Sequence, residues 1–386
     1  MKLTVGVGLL GCGTVGANVA DRLQRERETI ERRSGVRYEL RGIAIRDSSK
    51  ERPDSLERRL FTRDARAIVD DPQVDLVIEL IGETNDATEL VERALDRGRH
   101  VVTANKDLLA TQGPRLQALA ASRGVALRFE AAVAGAIPLL RTLNEALAGD
   151  AVLSVAGVIN GTSTAILSAM EEGAEFGDAL ALARQHGYAE ADPSNDLDGT
   201  DAAHKLALIA QLAFGLAVIS PRVRRSGIAS VAQRDIARAR MLGMRIRLIA
   251  ATLRTADGIL AEVAPLLVPE THEFARTADA ENSVEIWARD AGLLALRGAG
   301  AGGIATASAV LGDVVSVLRA LRERRDFSAR RNAGWLEPAI EVKPFFECLA
   351  RATELPQYPI WDDAALRPST PLRMTLLRSG QATVNA

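Results

Sequence analysis

Cysteine is almost missing from this 386-residue chain: Cys12 and Cys348 are the only two. Two such distant thiols supply neither a disulfide framework nor a spaced set of metal ligands. Histidine is nearly as scarce, with four scattered residues, which argues against a zinc site. Basic charge has no surplus either. The net charge is −2 and no basic stripe interleaved with aromatics occurs, so no nucleic-acid partner is expected. Long apolar runs are also lacking. Leu206–Ile219 is interrupted by Gln211 and falls short of the ~18 residues of a membrane helix. Leu3–Leu10 is apolar behind one lysine but runs straight into glycines, so it reads as a buried first strand and not as a secretory signal. The expectation is a cytoplasmic protein with no membrane contact.

Lysine is the last scarcity. Of 48 basic residues only Lys2, Lys50, Lys106, Lys205 and Lys343 are lysine. Arginine-biased codon usage accounts for the trend. Against it, a lysine in an apolar setting calls for a chemical reason, because arginine stays charged while a buried lysine can release its proton.

What is present is ordinary globular composition, 47% hydrophobic and 25% charged, in a length that suits two or three domains. The first 150 residues alternate strand and helix. Thr4–Leu10, Val36–Ile45, Val74–Ile81, His100–Thr103 and Val125–Phe129 read as strands. Helices are predicted from Val15 to about Arg32, over Thr88–Arg97 with Gly98 as C-cap, and from about Pro114. The alternation predicts a doubly wound parallel sheet. From Ala151 the rhythm changes. A strand over Val152–Ile159 precedes helices near Ser163–Glu172, Gly177–Gln185, Asp201–Leu216 and Arg234–Leu242. Strands follow at Arg245–Arg254, Ile259–Val263 and Val284–Ala288, which suggests a mainly antiparallel sheet with helices. A second glycine-rich segment, Gly298–Gly303, precedes a helix at Thr306–Leu321. The tail is rich in arginine and then proline, with six of the 14 prolines after residue 337.

Gly11-Cys12-Gly13-Thr14-Val15-Gly16 matches G-x-G-x-x-G between a strand and a helix, the context of a dinucleotide fingerprint. The first glycine permits the tight turn, the second lets the backbone approach a pyrophosphate, and the third allows close helix packing. The helix N-terminus then attracts the phosphate. This makes a Rossmann-type domain the expectation. After the second strand come Ile45-Arg46-Asp47-Ser48-Ser49-Lys50. An acid there holds a ribose 2′-hydroxyl and an arginine holds a 2′-phosphate. Arg46 comes first and Lys50 adds charge, so NADP is favoured, with NAD the alternative.

Five acids fall in the twelve residues from Glu190: Glu190, Asp192, Asp196, Asp198 and Asp201. The following helix has only Asp201, His204, Lys205 and Gln211 polar in sixteen positions, so it is buried on most sides. Asp201 and Lys205 are four apart and share a face. Such a pair is either a structural ion pair or functional. The acidic loop lacks the glycine-centred spacing of a calcium-binding EF-hand.

Val102-Thr103-Ala104-Asn105-Lys106, Asn160-Gly161-Thr162, Gly187-Tyr188-Ala189-Glu190-Ala191-Asp192-Pro193 and Asp198-Gly199-Thr200-Asp201-Ala202-Ala203-His204-Lys205-Leu206 resemble the signature blocks of homoserine dehydrogenase. Gly298-Ala299-Gly300-Ala301-Gly302-Gly303 with Ala305-Thr306-Ala307-Ser308-Ala309 is similar to that family's late cofactor-side loop and helix. The resemblance runs in order over about residues 3–320. It implies reversible NAD(P)-dependent oxidation of L-homoserine to L-aspartate 4-semialdehyde in threonine and methionine synthesis. By position, it makes Lys205 the acid/base lysine and Asp201 its partner. Glu190 becomes a ligand of the substrate ammonium with Asp196 nearby, and Lys106 lies near nicotinamide and substrate. Thr103 and Gly302 fall on the cofactor side. Glu130-Ala131-Ala132-Val133-Ala134-Gly135-Ala136-Ile137-Pro138 resembles a monovalent-cation loop, for sodium or a similar ion. Glu130 and the carbonyls of Val133, Gly135 and Ile137 would be its ligands, with a plain strand-to-helix turn as the alternative.

The implied organisation is a dinucleotide-binding domain over 1–148 completed by helix 304–322, a catalytic and dimerisation domain over 149–303, and a tail over 323–386 too short for a regulatory domain. A homodimer through the 150–300 region is expected, because Ile246-Arg247-Leu248-Ile249-Ala250 alternates as though one face seeks a partner. The chain departs from the family pattern at Thr164-Ala165, at Ser226-Gly227-Ile228, over Thr271–Asn282 and in a late loop without proline. These departures leave two other readings: a nicotinamide enzyme for another amino acid or hydroxy acid, and a catalytically silent cofactor sensor.

Overall fold

A computed structural model describes residues 4–82, 84–216, 218, 220–255, 258–323 and 342–343. Over these residues the chain forms two compact units. One contains the stretch up to Gly149, Ala207–Ser220 and the stretch from Leu296; the other contains Asp150–Leu206 and Pro221–Ala295.

The first unit runs β1 (Thr4–Leu10), α1 (Thr14–Arg25), α2 (Arg27–Ser34), β2 (Arg37–Ala44), β3 (Phe61–Thr62), α3 (Ala65–Asp70), β4 (Leu76–Glu79), α4 (Thr84–Asp96), β5 (His100–Thr103), α5 (Lys106–Ser122), β6 (Leu127–Arg128) and the short α6 (Leu139–Arg141). Six strands pair in the order β3-β2-β1-β4-β5-β6, all parallel. The order reverses between β1 and β4, and ligands of such sheets bind outside the strand ends at that point. β1 buries Val5, Val7 and Leu9 against α1 and the late helix Gly303–Arg322, while Leu10, Val74 and Val77 pack with Leu90, Val91 and Leu116.

That late helix is long and apolar enough to cross a membrane by length and composition. Its Ala307, Val310, Val314, Val317 and Leu318 are nevertheless in the first unit's core. Two of the helices that differ from the sequence expectation do so for a reason visible in their contacts. The predicted Val15–Arg32 helix breaks at Glu26, where the Tyr38 hydroxyl donates to the Leu23 carbonyl at 2.5 Å and takes the acceptor the next turn would use. α5 starts eight residues before Pro114, which lies inside it. The Asn105 side chain accepts the Leu108 N–H at 3.0 Å and starts the helix, and the single bond forfeited at Pro114 does not stop it.

The second unit carries β7 (Val152–Val158), α7 (Gly161–Glu171), α8 (Phe176–Gln185), α9 (Ser194–Leu197), α10 (Thr200–Phe214, whose later turns belong to the first unit), β8 (Arg224–Arg225), α11 (Gln233–Met241), β9 (Met244–Thr255), β10 (Gly258–Pro269), α12 (Glu273–Arg276), β11 (Glu281–Ala288) and β12 (Gly292–Ala299). The late helix is α13 (Gly303–Arg322), and β13 is Val342–Lys343. The sheet runs β12-β11-β7-β9-β10-β13, with antiparallel pairs at β11–β7, β7–β9 and β9–β10, and β8 and β13 parallel on β10. β12 was not anticipated.

β10 runs past the predicted Ile259–Val263 even though Pro265 and Pro269 sit in it, opposite Leu248 and Met244 of β9. β8 pairs only as far as Val263, so Pro265 meets no ladder partner on that side among the described residues. The alternation in Ile246–Ala250 is not an inside–outside pattern. Arg247 is 1% exposed, held by Glu171 at 2.6 Å and by the Ala275 carbonyl at 2.7 Å.

Candidate active site and cofactor loop

In the first unit, Gly11 takes φ +95°, and a Cβ there would lie 2.4 Å from the Leu80 carbonyl oxygen. Gly13 caps α1 with open space where a side chain would stand, and a Cβ on Gly16 would strike the Gly11 carbonyl. Gly11 and Gly16 let the turn close on the neighbouring backbone, and the open space at Gly13 is the cradle a side chain there would fill, at the start of α1 with Thr14 and Val15. Gly302, at φ +108°, leads into α13, and Gly303 packs on Thr14 and Asn18 of α1's first turn. The structure therefore brings the fingerprint and the late loop together. Thr103 ends β5 fully buried, and Lys106 is the first residue of α5.

Arg46 is exposed beyond β2, where Asp47 folds back on Ser49. That hydrogen bonding holds the Asp47 carboxyl below its usual range. Arg52 escaped sequence reasoning. It donates to the Lys50 carbonyl at 2.7 Å and the Asp47 carbonyl at 2.5 Å, and lies over the Phe61 ring at 5.3 Å. It also reaches the Cys12 thiol, whose pKa is pushed up by burial against the pull of Arg52.

The candidate cation loop is a hydrogen-bonded turn. The Glu130 carboxylate accepts the N–H groups of Leu140 at 2.8 Å and Arg141 at 2.9 Å. Asp313 accepts the Glu130 N–H at 2.8 Å and pairs with Arg141 at 3.0 Å. Burial and the Asp313 charge push Glu130 up to about 7. Gly135 takes φ +63°, its neighbour Ala136 donates to the Ala299 carbonyl at 2.9 Å, and Ile137's carbonyl accepts from Leu139 at 2.8 Å. Val133 is buried in the same turn. Among the described residues no cluster of three His, Cys, Asp or Glu could hold a metal.

In the second unit the polar residues converge on Asn160, between β7 and α7. Its amide donates to Asp196 at 2.7 Å and to Asp201 at 2.8 Å, while its oxygen caps α7 through Ser163 N–H at 2.7 Å. Asp201 is 2% exposed and pairs with Lys205 at 2.8 Å. The Lys205 ammonium also donates to the Ile159 carbonyl at 2.8 Å. Thr162 donates to the Tyr188 carbonyl at 2.6 Å and draws in the segment before Glu190. Glu190 itself is exposed and outside this hydrogen-bonded set. Asn160 is thus the gathering residue; the Asn-Gly-Thr block marked its place, but nothing local marked its partners.

Comparison with known proteins agrees with both units. The family model described as homoserine dehydrogenase matches residues 138–315, and that of the homoserine dehydrogenase NAD-binding domain matches 11–130. The homoserine dehydrogenase of Neisseria gonorrhoeae is 43% identical over 317 residues, covering 82% of this chain and 72% of that protein. The chain belongs to the homoserine dehydrogenase family. The Mycobacterium tuberculosis homoserine dehydrogenase is 44% identical over 321 residues, with the same coverage of 82% and 72%. The solved homoserine dehydrogenase of Thiobacillus denitrificans is 39% identical with TM-score 0.83, covering 89% of this chain and 81% of that one. A hyperthermophilic archaeal homoserine dehydrogenase mutant, solved in complex with NADPH, is 26% identical with TM-score 0.66, covering 82% and 98%.

Of the departures from the family pattern, one lies in buried packing and one on the surface beside the acidic segment. Thr164 and Ala165 are buried on α7. Ser226–Ile228 lies against the acidic segment: Ile228 N–H donates to the Leu197 carbonyl at 2.8 Å, and a Cβ on Gly227 would lie 1.8 Å from that oxygen. Only glycine passes there.

Proposed function

We propose that this chain catalyses NADP-preferring, reversible oxidation of L-homoserine to L-aspartate 4-semialdehyde, with Lys205 moving the hydroxyl proton. The observation that carries this is the Asn160–Asp201–Lys205 set, a buried acid held by one amide and paired with a lysine. The glycine cradle on α1 fits a dinucleotide, and the nicotinamide supplies the hydride acceptor. The remaining work falls to side chains. Oxidation must remove the C4 hydroxyl proton, and reduction must return one to the same oxygen; an amine can do both. Asp201 holds the Lys205 ammonium in place, Glu190 and Asp196 supply negative charge for the substrate ammonium, and Lys106 orients the reacting end. Arg46 and Lys50 are the cations proposed for a 2′-phosphate.

The cation site is proposed on donor chemistry alone, Glu130 and three carbonyls being oxygen ligands, and no step is routed through it. The homodimer and the cytoplasmic setting are likewise proposals; the packing of α13 in the core favours a water-surrounded protein. A cofactor-reduction assay at alkaline pH, run on a panel of amino and hydroxy acids, tests the activity. L-Homoserine should dominate in kcat/KM. A different preferred substrate would favour the second reading, which the packing of Ser226–Ile228 on the acidic segment motivates. No turnover with any substrate, alongside intact cofactor binding, would favour the sensor.

A further inference from the structure

Glu79 closes β4 and is fully buried, yet among the described residues no cation pairs with it. Donors hold it instead. Oε1 accepts the Ile81 N–H at 2.7 Å and Oε2 accepts the Thr103 hydroxyl at 2.5 Å. Thr103 Oγ1 in turn accepts the Asn105 N–H at 3.0 Å, and the Asn105 side chain caps the helix whose first residue is Lys106. The Glu79 carbonyl adds a tie to Ala104 N–H at 3.4 Å. Burial pushes the carboxyl up, and these donors pull it down. The buried Asn105 amide nitrogen stands near enough to add to that pull without closing a full hydrogen bond.

One carboxyl therefore fastens two loops at the carboxyl edge of the parallel sheet. On one side is the turn after β4, whose Leu80 carbonyl abuts Gly11 of the fingerprint. On the other is Thr103–Asn105, which leads to Lys106. An apolar side chain would end a buried strand at lower cost, because an acid without a counter-ion is expensive to bury. What an acid adds is two acceptor oxygens aimed at two different loops.

We infer that Glu79 is a positioning residue for the reaction, setting the place of Lys106 through Thr103 and Asn105. This rests on the reading of Lys106 as a site residue. A double-mutant cycle tests it. Glu79→Gln keeps the volume but turns one acceptor into a donor. Its kcat/KM for L-homoserine should fall about tenfold in the otherwise native chain, and by less than about twofold when Lys106→Ala is already present. Equal losses in both backgrounds overturn the inference, since a residue that only supports the fold acts with or without Lys106. Unchanged activity of Glu79→Gln overturns it as well. Full activity of Lys106→Ala would instead remove the reading of Lys106, and the inference with it. If Glu79→Gln fails to fold, Thr103→Val cuts the same link and the cycle with Lys106→Ala is read in the same way.

Discussion

Lys205 has two oxygens at 2.8 Å, one from the Asp201 carboxylate and one from the Ile159 carbonyl, and both bear on what a substitution would do. An arginine keeps the charge but cannot release a proton at working pH. Lys205→Ala should lose about 10²–10⁴-fold in kcat with cofactor affinity near native, and Lys205→Arg should fare almost as badly. A competent Lys205→Arg enzyme would reduce the pair to an ion pair. On the cofactor side, Arg46→Ala should shift the NADP/NAD preference by roughly 10–100-fold, the loss of one charge-assisted contact. Arg52 donates through its two terminal nitrogens to two carbonyls of the same loop. Arg52→Ala should therefore weaken both cofactors alike, as measured by their dissociation constants. The Asp201/Lys205 pair was legible because both lie on one helix, four residues apart. Asn160 was not, since its carboxylate partners stand 36 and 41 residues away. Glu79 was hidden inside the apolar run that marks β4.

Elements were legible where burial sets a simple period. β1 and β5 match the expected Thr4–Leu10 and His100–Thr103, and β4 lies within the predicted Val74–Ile81. Elements decided by a single tertiary bond were not: the break at Glu26 depends on Tyr38 of the next strand, and the reach of β10 past Pro265 depends on its short neighbour β8. β5 also carries a pH response. His100 is buried, and its Nδ1 accepts the Ala126 N–H at 3.0 Å, so the neutral ring is the folded form. Burial lowers its pKa from 6.5 to about 4. A lowered folded-state value means stability is fully present above pH 6.5 and lost as pH falls toward and through 4. The loss is on the order of 3 kcal/mol when complete. Chemical denaturation at several pH values should show this slope, and His100→Asn should flatten it.

At the scale of the whole molecule, composition and order of motifs were enough for the doubly wound sheet and for a second, mainly antiparallel sheet, because glycines and buried strands write themselves locally; the parallel strands β8 and β13 were not foreseen. The way α10 contributes its first turns to one unit and its later turns to the other was not legible, since only three-dimensional packing divides a continuous apolar helix. The same holds for α13, whose Val310, Val314 and Val317 complete a core begun by Val5, Val7 and Leu9. That arrangement bears on synthesis. The six strands of the first sheet leave the ribosome long before α13 is made, so the part of that sheet's face that α13 covers beside α1 waits open while residues 150–302 are translated. Domains tend to fold as they emerge, N-terminal part first, and exposed apolar faces aggregate. A fragment ending at Gly149 should accordingly be insoluble or bind a hydrophobic dye, and should recover when a peptide spanning Gly303–Arg322 is supplied. A well-folded fragment without that peptide would show that the sheet does not depend on its late helix. The cofactor cradle of Gly11–Gly16 is thus made well before the helix that completes the core beneath it.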